Sequence, residues 1–284
     1  MRYILHSIFL SLICFDLFGA ASSVSIQGNV LEALTEDRSL RVKLTESADP
    51  EMVVGKTMDF RVGAGDLKIG YVGRAVHAKG VYYNNAWHLE QVFPLDGVGA
   101  KAMADINRQL HDLVASMSRR NYLRTGDYIA NFSMIDQHGN FLQIRELRGK
   151  PFVLNFIFTR CKVAKMCPAS TKRMAELQDM ARAEGMKDLH FVTVTFDPEF
   201  DSPGILRTYA DNYGIEHDSF HLLTATEKLT NDLLRLFGIL TTEEDGTINH
   251  TMATLLIDAN GRIAFRKEGS LWKVEEFLEK AKEL

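Results

Sequence analysis

The stretch FVLNFIFTRCKVAKMCPAS, residues 152–170, decides the fold of the second half of this chain. Its first seven residues are apolar except for Asn155, and such a near-continuous apolar run is typical of a strand buried on both faces of a sheet. Cys161 and Cys167 follow, and Pro168 indicates the first turn of a helix, where its missing N–H needs no partner. The stretch therefore predicts a central strand, a short cysteine-bearing loop and a helix.

On both sides of this stretch, strand and helix patterns alternate over residues 125–284. A hairpin is predicted across Asp136–Gly139, a second apolar strand over His190–Phe196, and a helix from Ser202-Pro203 to near Gly214. A hairpin across residues 258–261 and a closing helix complete the pattern. Elements in this order favour an α/β fold, a three-layer sandwich with helices on both faces of one sheet.

The first third of the chain has a different pattern. Residues 39–44 alternate polar and apolar side chains, and Asn84-Asn85 separates two short strand-like runs as a hairpin turn would. Residues 24–95 therefore predict a small all-β domain, a barrel or a sandwich. Over residues 99–120, apolar side chains recur at steps of three and four, which predicts an amphipathic linker helix packed on a neighbouring domain.

The N-terminal segment, residues 1–21, matches a signal peptide, with Arg2 before an apolar run and small residues at a cleavage site. An uncleaved anchor is the alternative. Cleavage would remove Cys14 and leave one cysteine pair in a compartment where disulfides form. We therefore expect an exported protein, in the periplasm or on the outer face of the cytoplasmic membrane.

The amino-acid composition excludes several classes of protein. The 284 residues include 33 Lys+Arg and 37 Asp+Glu, for a net charge of -4, whereas nucleic-acid binders usually carry a basic excess. No nucleic-acid partner is therefore expected. The 46% hydrophobic and 25% charged residues exclude a disordered chain. Three cysteines exclude both a disulfide-dense scaffold and a four-cysteine metal cage.

The two remaining cysteines carry the chemistry that this sequence suggests. Cys167 comes at the start of the predicted helix, whose partial positive charge should stabilise a thiolate and lower its pKa. On one continuous helix, residues six positions apart lie on opposite sides with a rise of ~9 Å. A disulfide requires Cα atoms within ~7 Å. If Cys161 and Cys167 meet, residues 164–166 must therefore form a loop between them.

His250 is the third candidate residue, because it lies just before the predicted core strand 253–257. Two thiolates and one imidazole form a soft donor set that favours Cu(I) and accepts Cu(II). Zinc would also bind such ligands but normally takes a fourth. From spacing alone, a single histidine can equally be a structural or an exposed residue.

Several motifs together resemble the SCO/SenC family of copper chaperones of respiratory oxidases. They are the LRGKP of residues 147–151, the FTRC of residues 158–161, Cys167-Pro168, the DPEFDSP of residues 197–203, and His250 with its neighbours. The resemblance covers about the last 160 residues. It implies a thioredoxin-like fold in which the loop after the central strand lies beside the turn before a later strand.

The resemblance also implies a site and a function. In that family both cysteines and the histidine bind one copper ion and the cysteines cycle between dithiol and disulfide. This gives Cys161, Cys167 and His250 as ligands, and the two cysteines as the redox-active pair. The implied function is a metallochaperone for the binuclear copper centre of cytochrome c oxidase. Its partner would be the copper-bearing oxidase subunit. The chain departs from the family by having five residues, not three, between its cysteines.

Other functions remain open at this stage. The same cysteines could serve a thiol–disulfide oxidoreductase of the cell envelope without a stable copper site, with other envelope thiol proteins as partners. They could also form a structural disulfide. A peroxiredoxin-like peroxidase is disfavoured, because Thr159 and Cys161 are separated by one residue and not two. In the DPEFDSP segment, Asp201 or Ser202 is expected to cap the following helix.

Overall fold

The computed structural model describes residues 23–50, 52–95, 98–118, 121–244 and 247–284. The signal peptide predicted for residues 1–21 lies outside these ranges. Within them, none of the helices combines the length and the apolar character that crossing a bilayer requires.

The N-terminal region is a closed five-stranded barrel with the strand order β1-β2-β3-β5-β4. Its strands are β1 (Ser23–Leu34), β2 (Ser39–Ser47), β3 (Thr57–Arg61), β4 (Ala75–Tyr83) and β5 (Ala86–Pro94). Alternate side chains such as Val30, Val42 and Phe60 fill its interior and are fully buried. Asn84 and Asn85 have φ values of 50° and 56°, as a two-residue turn between twisted strands requires. The hairpin read from the sequence is therefore present.

Helix α1 (Val98–Ser116) follows the barrel and ends before the predicted boundary at residue 120. At its end the Ser116 hydroxyl donates a hydrogen bond of 2.6 Å to the Leu113 carbonyl, a local contact of the kind that competes with helix continuation. Leu110 and Val114 are buried in the core of the α/β region. Helix α1 therefore packs on the α/β region that follows it in the chain.

The α/β region forms around a seven-stranded sheet with the order β14-β13-β8-β9-β10-β6-β7. Its elements are β6 (Ser133–Asp136), β7 (Phe141–Gln143), β8 (Phe152–Ile157), α2 (Cys167–Ala183), β9 (His190–Thr195), α3 (Pro203–Asn212), β10 (Phe220–Thr224), α4 (Glu227–Phe237), β11 (Thr241–Glu244), β12 (Thr247–His250), β13 (Ala253–Ile257), β14 (Ile263–Glu268) and α5 (Val274–Lys282). Strand β8, read from the sequence as central, has all six side chains buried.

Successive residues of β8 face opposite layers, which makes the region a three-layer sandwich. Leu154 and Phe156 belong to the cluster that includes α1 and α4, whereas Val153 belongs to the cluster that includes α2, α3 and α5. The α/β fold with an N-terminal all-β region is confirmed. Strand β10, helix α4 and the two-stranded β11–β12 sheet were not predicted.

Candidate metal centre

The topology brings three distant segments to one edge of the sheet. Strands β8 and β9 are parallel neighbours, so the loops after their carboxyl ends lie side by side. Strand β13 pairs antiparallel with β8, with Thr254 opposite Asn155, so the start of β13 lies at the same edge. The loop bearing Cys161, the DPEFDSP segment and the turn after His250 therefore converge.

The five residues between the cysteines form an exposed loop that turns back on itself. The Met166 N–H donates to the Val163 carbonyl at 2.9 Å, and the Ser270 hydroxyl donates to the Lys165 carbonyl from the segment after β14. Helix α2 then begins at Cys167, with Pro168 in its first turn. The loop predicted at residues 164–166 is present, and the longer spacing does not keep the two cysteines apart.

Cys161, Cys167 and His250 are brought together: their two sulfur atoms and the ligating imidazole nitrogen all lie within 4.8 Å of one another. Cys167 Sγ is 3.5 Å from His250 Nε2. Cys167 is fully buried and Cys161 partly so, and both are free thiols. Among the described residues, no other set of three His, Cys, Asp or Glu ligand atoms is gathered in this way.

The two cysteines differ in acidity, in the opposite sense to the sequence prediction. The Cys167 thiol donates to the Cys161 sulfur, and with the backbone N–H groups of Cys167 and Val163 it lowers the pKa of Cys161 to about 5. The same hydrogen bond and burial raise the pKa of Cys167 far above its usual value. The expected thiolate at Cys167 is wrong, because the N–H that opens helix α2 faces the sulfur of Cys161 while the Cys167 side chain is buried.

His250 is held with one ring nitrogen free for a ligand. Its Nδ1 lies 3.0 Å from the Thr251 carbonyl, which can only accept, so Nδ1 donates to that oxygen and Nε2 faces the Cys167 sulfur. The ring also contacts Phe158 and Phe196, with centroid distances of 5.7 and 4.5 Å. These contacts fix the imidazole as an outer-shell partner fixes a metal-binding histidine.

Asp201 has a role that the sequence reading missed. Ser202 is the N-cap residue of α3 but makes no side-chain capping bond there. The fully buried Asp201 carboxylate instead accepts from the Thr159 N–H at 3.1 Å, from the Thr159 hydroxyl, and from the Thr195 hydroxyl at 2.5 Å. Burial raises the pKa of Asp201 to about 6. The capping prediction is wrong because the Asp201 carboxylate instead binds these donors, which lie two residues before Cys161 and at the end of β9.

A second acid of the same segment also holds the cysteine loop. Arg160 Nε donates to Asp197 Oδ2 at 2.7 Å, and the Arg160 guanidinium lies over the Phe200 ring, 4.9 Å from its centroid. Asp197 and Asp201 therefore each bind a residue just before Cys161. The signal available in the sequence was the position of both acids directly after a strand parallel to β8.

Comparison with known proteins agrees with this fold. The SCO1/SenC family model matches residues 120–284. A SCO2-like protein of Rickettsia typhi is 30% identical over 156 residues, covering 52% of this chain and 74% of that protein. A protein of Stutzerimonas stutzeri whose name refers to copper binding is 27% identical over 140 residues, covering 48% of this chain and 66% of that one.

Solved structures give the same result. A SCO1/SenC family lipoprotein from Bacillus anthracis str. Ames is 29% identical, with a TM-score of 0.52, and the match covers 59% of this chain and 99% of that one. The family model begins after α1, so the barrel lies outside the range that it matches. Because the family match spans more than half of the chain, this protein belongs to the SCO1/SenC family.

Proposed function

We propose that this protein is a copper-binding metallochaperone for the binuclear copper centre of cytochrome c oxidase, with copper as its cargo. The observation that carries the proposal is the convergence of two cysteine sulfur atoms and one imidazole nitrogen within 4.8 Å. Soft sulfur donors with one nitrogen suit copper. The copper-related name of the Stutzerimonas stutzeri relative supports the same ion.

Cys161, Cys167 and His250 would hold the ion. Cys161 is ready as a thiolate, Cys167 would lose its proton on binding, and His250 would bind through the Nε2 that faces Cys167. Copper affinity should therefore rise with pH, since binding releases a proton. The oxidase acceptor rests on family membership. An exported location rests on the predicted signal peptide and on the lipoprotein relative.

Copper titration of the reduced protein and of His250→Ala tests the three-ligand site. Loss of outer-shell partners alone costs 10–100-fold in metal affinity, so loss of the imidazole should weaken binding by at least about tenfold. His77→Ala is the matched control, because His77 lies on strand β4 of the barrel, where its Nε2 is 3.1 Å from the Ser25 hydroxyl. Unchanged stoichiometry and affinity in His250→Ala would contradict the three-ligand site.

A thiol–disulfide oxidoreductase is the second candidate, and the unequal acidity of the cysteines favours it. The half-exposed Cys161 thiolate would attack a partner's disulfide to form a mixed disulfide and expel one partner thiolate. Cys167 would then attack Cys161, releasing the second partner thiolate. The partner disulfide gains two electrons, which the cysteine pair supplies as it becomes a disulfide. Reduction of a disulfide substrate by the copper-free protein would favour this candidate.

A further inference from the structure

The barrel touches the α/β region at the first turn of α3. The 3-10 turn Asp66–Lys68 of the barrel packs there, and two glycines make the approach possible. A Cβ on Gly65 would lie 1.9 Å from the Gly204 carbonyl oxygen, and one on Gly204 would lie 2.1 Å from Asp66 Oδ1. Such distances leave no room for any side chain, so backbone meets backbone at this point.

Polar contacts on either side hold the same interface. Lys68 Nζ lies 2.5 Å from Asp211 Oδ2 at the far end of α3. Arg74 donates to the Gly139 carbonyl in the β6–β7 turn at 2.9 Å. The Asp66 side chain between them is buried against α3. The barrel is therefore attached at both ends of α3 and at the β6–β7 turn.

The turn that the barrel contacts continues directly into the segment that holds the cysteine loop. Ser202 is the N-cap of α3, and Asp201 before it binds Thr159, two residues from Cys161. Ser202 and Phe200 also line a cavity of about 560 Å³ between the barrel and α3. A displacement of the α3 start would therefore move the Asp201 carboxylate and the backbone of Thr159.

The geometry points to a positioning role for the barrel: through the Gly65–Gly204 contact it fixes the start of α3, and thereby holds Cys161 close to Cys167. This inference rests on the proposed function, since it assigns the barrel a part in tuning the copper and thiol site. Asp66, Gly65 and Gly204 are positioning residues, because none of them touches the sulfur atoms or His250.

Gly204→Ala tests the role in the full chain, because its Cβ would collide with the Asp66 carboxylate while alanine remains compatible with a helix. Reduced protein is equilibrated with glutathione disulfide, which yields the protein disulfide and two glutathione thiols. A looser loop lowers the effective concentration of the two thiols, so we expect the equilibrium constant for disulfide formation to fall about tenfold, which is about 30 mV. Copper affinity should fall with it.

Two further variants distinguish an effect on the position of the cysteine loop from a general loss of stability. Gly204→Ala combined with Asp66→Ala removes the colliding oxygens and should restore the wild-type equilibrium. Gly70→Ala is the matched control, because a Cβ there meets nothing within 4 Å, and it should change nothing. If Gly204→Ala does not fold, Lys68→Ala with Arg74→Ala removes the polar ties without a collision and gives the same readout.

Hydrogen exchange at the amides of the Asp66–Lys68 turn reports whether the barrel has been released. The inference would be overturned by a variant in which these amides exchange faster while the equilibrium constant for disulfide formation stays at the wild-type value. Unchanged amide exchange in Gly204→Ala would also overturn it. So would a change in the equilibrium constant in Gly70→Ala equal to that in Gly204→Ala. A wild-type protein that binds no copper would refute the proposed function alone, because the glutathione equilibrium still measures the positioning effect.

Discussion

At the scale of single residues, the two cysteines of the site differ in exposure and in hydrogen bonding. Cys161 is partly exposed and receives hydrogen bonds, whereas Cys167 is buried and donates one. A low-pKa exposed thiol beside a buried resolving thiol is the arrangement that thiol exchange requires. The same asymmetry would let a metal ion be captured first at Cys161 and then enclosed by Cys167 and His250.

Alkylation by iodoacetamide should therefore modify Cys161 first, with a midpoint near pH 5, because its pKa is lowered to about 5. In Cys167→Ala the midpoint should move upward, since the donor that stabilises the thiolate is lost. Mass spectrometry after partial reaction of the reduced protein, between pH 4 and pH 9, measures both. Modification of Cys167 before Cys161, or a wild-type midpoint near the ordinary thiol value of about 8.5, would contradict this assignment.

The sequence predicts which residues form the site but not which of the two cysteines is the more acidic. Cys161, Cys167 and His250 were predicted because their neighbours carry a recognisable pattern. The acidity of each thiol depends on which sulfur accepts hydrogen bonds and which thiol donates one. The spacing of six positions between the two cysteines does not determine this. Only the turn at residues 163–166 and the direction of the first N–H of α2 decide that Cys161 is the thiolate.

At the scale of elements, the loops after β8 and β9 are joined by the Asp201 carboxylate. Asp201→Ala would leave the Thr159 N–H and the Thr195 hydroxyl without their acceptor, at ~1–3 kcal/mol for each buried group. We expect urea unfolding to show a loss of about 2–5 kcal/mol. Asp201→Asn should lose less than about 1 kcal/mol, because its Oδ1 can replace the oxygen that accepts both bonds and its amide can donate to the Thr159 hydroxyl.

The comparison of these two variants makes the prediction specific. Equal losses in Asp201→Ala and Asp201→Asn would mean that charge, and not hydrogen-bond geometry, joins the two loops. A loss in Asp201→Ala that leaves the alkylation midpoint of Cys161 unchanged would mean that the loop keeps its shape without this carboxylate.

Elements with a strong local pattern were predictable, and those defined by tertiary contacts were not. Strand β8 and the β13–β14 hairpin follow from apolar runs and turn residues, and the start of α2 follows from Pro168. Strand β10 has only five residues, and β11–β12 pair with each other outside the main sheet. Such short strands are defined by their partners more than by their own side chains.

At the scale of the whole molecule, no local pattern predicts how the barrel meets the α/β region. The contact joins residues about 140 positions apart in sequence, such as Lys68 and Asp211. It also buries Asp66 with Oδ1 lacking a hydrogen-bond partner, whereas buried polar atoms are normally paired. The buried, unpaired oxygen is therefore a cost in stability at this interface.

The ionisation of Asp66 should make this interface sensitive to pH. Burial raises the pKa of Asp66 from 3.8 to about 7, although a backbone hydrogen bond from Gly63 opposes the rise. The folded state therefore binds the proton more tightly than the unfolded state, so the stabilising contribution is complete below pH 3.8 and is lost as the pH rises to about 7. The size of the rise corresponds to about 4 kcal/mol.

Asp66→Asn keeps the shape of the side chain and removes the titration. Relative to wild type, its free energy of unfolding in urea should therefore increase between pH 4 and pH 7 and stay level above pH 7, where the wild-type protein must bury a carboxylate. Measuring the difference between the two proteins cancels the titration of the groups they share. Parallel pH profiles would mean that Asp66 is ionised in both the folded and unfolded states across this range, and that the interface solvates its charge.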